Sequence, residues 1–309
     1  MELEKALEGL IISRSAEGAS PFTIQVYRYG IRKLSDYLNN PEIESIQKVD
    51  IQKFFVHLRE DTSLAESSLI NIRRAISVLF NWAEKELLIN RPDEGIGYPK
   101  APINEVEPFS SDEIRRLLSA CNYSKTSNTK GRNSFRMKRP TANRDKTIIL
   151  ILLDTGLRVS ELARLQLKDI DLEIGEIHVQ PYGSGLKSKS RSVYIGKLSK
   201  STLWRFLSGK YLQPEDYIFT TSQGFPMNRT SIRQLLKRIG NRAEVLNVYP
   251  HRFRHTFAIQ YLRNGGDIFT LQRLLGHSSL EMVRRYLAIA KSDCEVAHRK
   301  ASPVDNWRL

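Results

Sequence analysis

The chain has 309 residues, enough for two domains each with its own core, and its 40% hydrophobic content is that of a globular chain rather than a disordered one. Lys and Arg outnumber Asp and Glu by 48 to 34, for a net charge of +14. That balance points to a polyanionic partner, and to nucleic acid rather than a membrane surface, because no Lys-rich amphipathic anchor is visible. The acidic start MELEKALEGL has no secretory signal pattern, and the longest apolar run, residues 148–153, is far short of a membrane span. Cys121 and Cys294 make neither a disulfide framework nor a metal site, which fits a reducing cytosol, and a DNA partner there would make the protein nucleoid-associated.

In chain order, residues 1–92 predict helices only. Ile24, Tyr27, Ile31, Leu34 and Leu38 repeat at helical spacing, as do Leu69, Ile72, Ile76, Leu79, Phe80 and Ala83. Shorter helices are expected over 2–12 and 48–59. Arg28, Arg32 and Lys33 on one helix and Arg73 and Arg74 on another are candidates to face a phosphate backbone or are solvated faces. Residues 1–100 carry 13 basic and 15 acidic side chains, so the positive charge belongs to the rest of the chain.

Residues 93–108, with Gly95, Gly97, Pro99, Pro102 and Pro108, predict an extended interdomain linker. A capping box, Ser110 with Glu113, then opens a helix carrying Ile114, Leu117 and Leu118. Residues 122–146 lack periodicity and carry eight basic side chains against one acid. Such a segment is either a solvated loop or orders on a phosphate backbone, and the density of charge favours the second. Lys130, Arg132, Arg136, Lys138 and Arg139 are its candidate DNA contacts.

The apolar run 147–153 predicts a buried helix ended at Gly156, and a second helix starts near Arg158 and buries Leu162 and Leu165. Alternating segments 176–180 and 191–195 around a Gly-rich turn predict a β-hairpin whose tip carries Lys187 and Lys189. Residues 217–219 are a candidate third strand, and Ile232, Leu235, Leu236 and Ile239 mark a further helix.

The most informative stretch is 249–286. Pro250 suits the first helical position, so His251 and Arg254 share one face of a first turn, where an anion is favoured. Gly276 stops the next helix and displays His277 directly after it. Ser278 and Glu281 form a second capping box, ahead of Tyr286 on a helix face. No carboxylate cluster suggests a two-metal nuclease, no Cys/His spacing suggests zinc, and no Gly-rich phosphate loop suggests ATP. Metal-free phosphoryl transfer then needs arginines for charge, plus a nucleophile, a base and an acid.

These residues resemble the tyrosine recombinases, or phage integrase family, of the compact Xer-like type. The matching blocks are TGLRVSEL (155–162), KSKSRSVYIG (187–196), HRFRHTFA (251–258) and LGHSSLEMVRRY (275–286), in the family's order. The resemblance implies a mainly α fold with a small antiparallel β-sheet, in two domains. One is a helical, SAM-like core-binding domain over 1–92; the other is a mixed α/β catalytic domain over 109–309. It implies that Arg158 and Arg254 clamp the scissile phosphate, that Lys189 protonates the leaving 5′-oxygen, and that His251 handles the proton of the nucleophile Tyr286. His277 would hydrogen-bond the phosphate and Glu161 would orient Arg158. No cofactor and no metal are implied. The implied partners are double-stranded DNA and three further copies of the chain on two paired sites, with the C-terminal tail docking on a neighbour and accessory proteins undetermined. A DNA-binding protein of the same fold without activity, and a strand-nicking enzyme of the type IB topoisomerase kind, share most of these features. Two departures stand out: segment 122–146 is long for the family, and the N-terminal half is mildly acidic.

Overall fold

The computed structural model describes residues 1–60, 64–99, 106–124, 136–181 and 190–277, together with Tyr286, His298, Ser302, Val304 and Trp307. The chain divides into two compact units, one formed by residues 1–104 and the other beginning at 105.

The first unit is built from α1 (Leu3–Ala16), α2 (Pro21–Leu38), α3 (Lys48–Glu60) and α4 (Glu66–Glu86). Helix α2 starts where the Ser20 hydroxyl accepts the Thr23 N–H at 3.1 Å with Pro21 at the first position, and ends at Asn39 in the left-handed region. The stripe expected on α4 is buried: Leu69, Ile72, Ile76, Leu79, Phe80 and Ala83. Helices α2 and α4 pack closely at Gly30, where a Cβ would stand 2.9 Å from that of Ala75.

Arg73 departs from expectation. It is only 3% exposed, and its guanidinium binds the Asp93 carboxylate at 3.1 Å and the carbonyls of Asp93 and Ile96 at 2.9 Å each. Asp93 also accepts from Ser77 (2.8 Å) and Arg91 (3.2 Å). Burial pushes the Asp93 carboxyl up, and the bonds from Arg91, Ser77 and Arg73 outweigh it and hold the pKa below the ordinary value. A buried arginine can persist only when paired in this way, so Arg73 ties residues 93–96 to α4 and presents no charge to DNA. The first residues of the expected linker therefore belong to the helical unit.

The second unit holds α5 (Ser111–Ala120), α6 (Ala142–Thr155), α7 (Val159–Ala163), β1 (Ile170–Asp171), β2 (Glu176–Val179), β3 (Arg191–Tyr194), α8 (Lys197–Leu207), α9 (Arg229–Ala243), α10 (Pro250–Arg263) and α11 (Ile268–Leu275). Both halves of the Ser110–Glu113 capping box form, at 3.1 and 2.8 Å. Helix α6 is the core, with Ile148, Ile149, Ile151 and Leu152 fully buried, and α8 and α10 pack on it. It begins at Ala142 rather than 147, because the buried Asp145 is neutralised by Arg139 and Arg144, each at 2.8 Å. The ends of the basic segment also pair: Ser124 N–H donates to the Met137 carbonyl and Arg139 N–H to that of Asn122, both at 2.8 Å. Residues 125–135 lie outside the described residues.

The expected hairpin forms as β2 and β3, with Ile177 opposite Val193. The third strand is β1, not 217–219: Tyr217 makes only an isolated bridge to Gln166. Helix α8 has no counterpart in the periodicity above, since its buried positions are Ser199, Leu203 and Phe206. The hairpin tip, the Ser278–Glu281 capping box and most of the C-terminal tail lie outside the described residues. No helix among the described residues is long and apolar enough to cross a membrane.

Candidate active site

The site is assembled where α6 and α11 end. The last carbonyls of a helix have no partner within it and carry the negative end of its dipole. Both helices stop at a left-handed glycine, Gly156 (φ +63°) and Gly276 (φ +63°), which frees these carbonyls to face one space. Three arginines occupy them.

Arg254, from the first turn of α10, is 2% exposed. It donates to the Gly156 carbonyl at 2.8 Å and to the Leu275 carbonyl at 2.7 Å. Arg158, immediately before α7, reaches the Gly276 carbonyl at 3.3 Å. Arg191, from β3, donates to the Leu274 carbonyl at 2.7 Å. Glu161 joins two of the three. It takes both Arg191 nitrogens (3.0 and 2.8 Å), the Arg158 side chain (3.0 Å) and the Arg158 backbone N–H (2.7 Å). Burial alone would raise the Glu161 pKa, and the hydrogen bonds and charge of Arg191 outweigh it and hold it down.

His277 follows Gly276 directly. Its Nε2 lies 2.7 Å from an Arg254 nitrogen, which can only donate. Nε2 therefore carries the lone pair and Nδ1 the proton. Burial and the neighbouring arginines lower its pKa to about 4, so the ring is neutral near pH 7. Its buried Nδ1 meets no partner among the described residues. His251 lies one turn before His255 on α10 and is exposed, with its pKa lowered first by partial desolvation and then by Arg254, Arg158 and Arg233. A neutral imidazole there can accept a proton.

Tyr286 is 5% exposed and packs with Ala258, Ile259, Leu271 and Leu275. Its ring meets that of His255 edge-on at 5.3 Å. Burial of Arg254, with Arg158 beside it, brings the guanidinium pKa down to about 10, while Glu161 and then Tyr286 act in the opposite sense. The fold thus brings Arg158, Glu161, His251, Arg254, His277 and Tyr286 into one unit, while Lys189 lies outside the described residues.

Two residues of this site were not singled out from the sequence, Arg191 and His255. The K-x-R-x-V run marks Arg191 only as a strand residue, and the partners that define it lie 30 and 83 positions away. Helix α9 also carries a basic stripe visible in the sequence: Arg229, Arg233 and Lys237 recur every fourth residue, and all three are exposed.

Among the other candidate DNA contacts, Arg32, Arg74, Arg136 and Lys138 are exposed and Arg28 is half-buried. The Lys33 ammonium lies over the Tyr29 ring at 5.5 Å. Arg139, bound to the buried Asp145, is a structural residue. Lys130 and Arg132 lie outside the described residues. No cluster of metal-ligating side chains is present among the described residues.

Residues 108–293 match the phage integrase family, and residues 7–89 match the phage integrase N-terminal SAM-like domain. The chain belongs to the phage integrase family, the tyrosine recombinases, which break and rejoin DNA. It is 29% identical over 305 residues to tyrosine recombinase XerC of Oceanobacillus iheyensis, covering 94% of this chain and 93% of that one. To tyrosine recombinase XerA of Thermococcus kodakarensis it is 30% identical over 292 residues, covering 94% and 92%. The structure of the Tn1549 transposon integrase in complex with transposon right-end DNA shares the fold, with a TM-score of 0.75 at 20% identity, covering 98% of this chain and all of that one. The family and the two Xer relatives make the chain a site-specific DNA recombinase.

Proposed function

We propose that Tyr286 is the nucleophile of a metal-free strand exchange carried out by the catalytic unit. The observation that carries this is the convergence of Arg158 and Arg254 on the carbonyls that end α6 and α11, with His277 bonded to Arg254 and Tyr286 packed beside them. In this reading Arg254 and Arg158 bind the non-bridging oxygens of the scissile phosphate. Their attraction grows as charge builds on the pentavalent phosphorus. The Nδ1–H of His277, which meets no partner among the described residues, donates to the same phosphate.

The phenol has an ordinary pKa of about 10, so it must lose its proton on attack. His251, neutral near pH 7, accepts that proton as the O–P bond forms. The bond to the 5′-oxygen breaks, and Lys189 supplies the proton for that oxygen. The products are a 3′-phosphotyrosyl DNA and a free 5′-hydroxyl. A 5′-hydroxyl from another strand reverses both transfers, so the bond energy is conserved and neither ATP nor a metal takes part. Four copies on two paired sites complete the proposed reaction.

The test uses a nicked duplex carrying a sequence that the purified protein selects from a randomised pool. Wild type should give a covalent band on a denaturing gel that Tyr286→Phe lacks. Binding with no covalent band in either protein favours the inactive DNA-binding reading. A band that survives in Tyr286→Phe assigns the attack to another residue. Relaxation of plasmids lacking the selected site favours the topoisomerase kind.

A further inference from the structure

Among the described residues, His255 on α10 stands between two other rings of the site. Its ring stands edge-on to Tyr286 at 5.3 Å with a 63° angle between planes, and edge-on to His251 at 5.1 Å with a 73° angle. The three rings form a continuous row from the surface of α10 to the buried phenol. Helical geometry explains the row, since His251 and His255 are four positions apart and share a face.

The proton transfers of the proposed reaction run through His251 and Lys189 and leave His255 aside. Burial first, then His251 and Arg254, lowers its pKa to about 4, so it adds no positive charge to the phosphate site near pH 7. What remains is shape. A ring at this position meets the flank of Tyr286 in the edge-to-face arrangement that aromatic pairs prefer. The apolar side of the same phenol rests on Ala258, Ile259, Leu271 and Leu275. A ring on the flank adds an edge-on contact to that packing and narrows the orientations open to the phenol.

We propose that His255 is a positioning residue, a neutral ring that seats Tyr286 against α10 so that the phenol enters the reaction already oriented. This rests on Tyr286 being the nucleophile. Orientation of a reacting group changes the rate of the chemical step and leaves affinity for the DNA site unchanged.

The experiment measures covalent-complex formation at saturating nicked duplex of the selected sequence, alongside the Kd for the same duplex, in the full-length protein. His255→Ala should slow cleavage by about tenfold, the upper range of an edge-to-face contact, with Kd within about twofold of wild type. His255→Phe, which restores a ring without a titratable nitrogen, should recover cleavage to within about threefold of wild type. Should the alanine variant fail to fold, His255→Leu takes its place as the ringless comparison. Cleavage by the ringless variant at the wild-type rate overturns the proposal. So does His255→Phe as slow as the ringless variant, which would move the role to the imidazole nitrogens, or a loss that appears wholly in Kd. Absence of a covalent band from wild type counts against the nucleophile assignment itself, and is therefore distinguishable from every outcome that concerns His255.

Discussion

Glu161 is where the charges of the site are balanced. It is bound by Arg191 and Arg158 and almost fully buried, so Glu161→Gln leaves two guanidiniums without their counter-charge. Breaking a buried pair by removing one partner costs about 3–5 kcal/mol. The expected outcome is a clear fall in the melting temperature of the variant and loss of cleavage, readable by thermal denaturation and covalent trapping. Acid sensitivity follows from the same residues. His255 and His277 are held neutral, with pKa values of about 4 against an ordinary 6.5. Between these values the unfolded chain binds more protons than the folded one, so stability is lost as pH falls from 6.5 towards 4. Glu161, whose folded pKa is depressed, contributes stability that is present above its ordinary 4.5 and is lost as pH falls through the lower folded value. Melting curves from pH 7 to 4 should fall steadily, and His277→Gln should flatten the upper part of that fall. At this scale the residues around 251 and 277 were legible because helix starts and stops are local chemistry. Arg73 was not, since an arginine on a helical stripe looks the same whether it meets solvent or an Asp93 twenty positions on.

The decisive elements are the ends of helices, above all the end of α11. Gly276 holds a left-handed conformation, and a Cβ there would stand 3.1–3.2 Å from three atoms of the Arg191 side chain. Gly276→Ala should therefore cost about 1–2 kcal/mol through backbone strain alone. It should also displace Arg191 and slow cleavage beyond what the stability loss explains. Thermal denaturation with single-turnover cleavage on the same preparation separates the two effects. The helices of the first unit, the hairpin and the caps at Ser110, Pro250 and Gly276 were all legible from periodicity and cap residues. Helix α8 and the early start of α6 were not. One buries a serine among few apolar residues, and the other needs arginines to neutralise the buried Asp145, a tertiary condition that leaves no periodic trace.

For the whole molecule, charge is the property that the sequence revealed best and localised least. Residues 1–100 are slightly acidic, and the positive balance lies beyond them. Part of that balance is spoken for internally: Arg139 and Arg144 serve Asp145, and Arg191 serves Glu161. Within the basic segment, residues 125–135 carry Lys125, Lys130 and Arg132, none of which is needed by those pairs. Replacing them with a short Gly/Ser bridge should lower the slope of log affinity against log salt by up to about 3 while leaving the fold intact. Filter binding over a salt series measures the slope; an unchanged value would make the segment a solvated loop. A wider excision of 122–146 is expected to unfold the second unit, because it removes the first turn of α6.

Each arginine of the site is held in part by a main-chain carbonyl, a ligand that no codon specifies. The side chains at the end of α11 can therefore drift, provided their packing is kept, without altering the groups that meet Arg158, Arg191 and Arg254. Register cannot drift. One inserted or deleted residue inside α11 turns every later carbonyl by about 100° and shifts it by about 1.5 Å along the axis, which takes all three hydrogen-bond acceptors away together. Divergence in such a helix should proceed by substitution and almost never by a change in length.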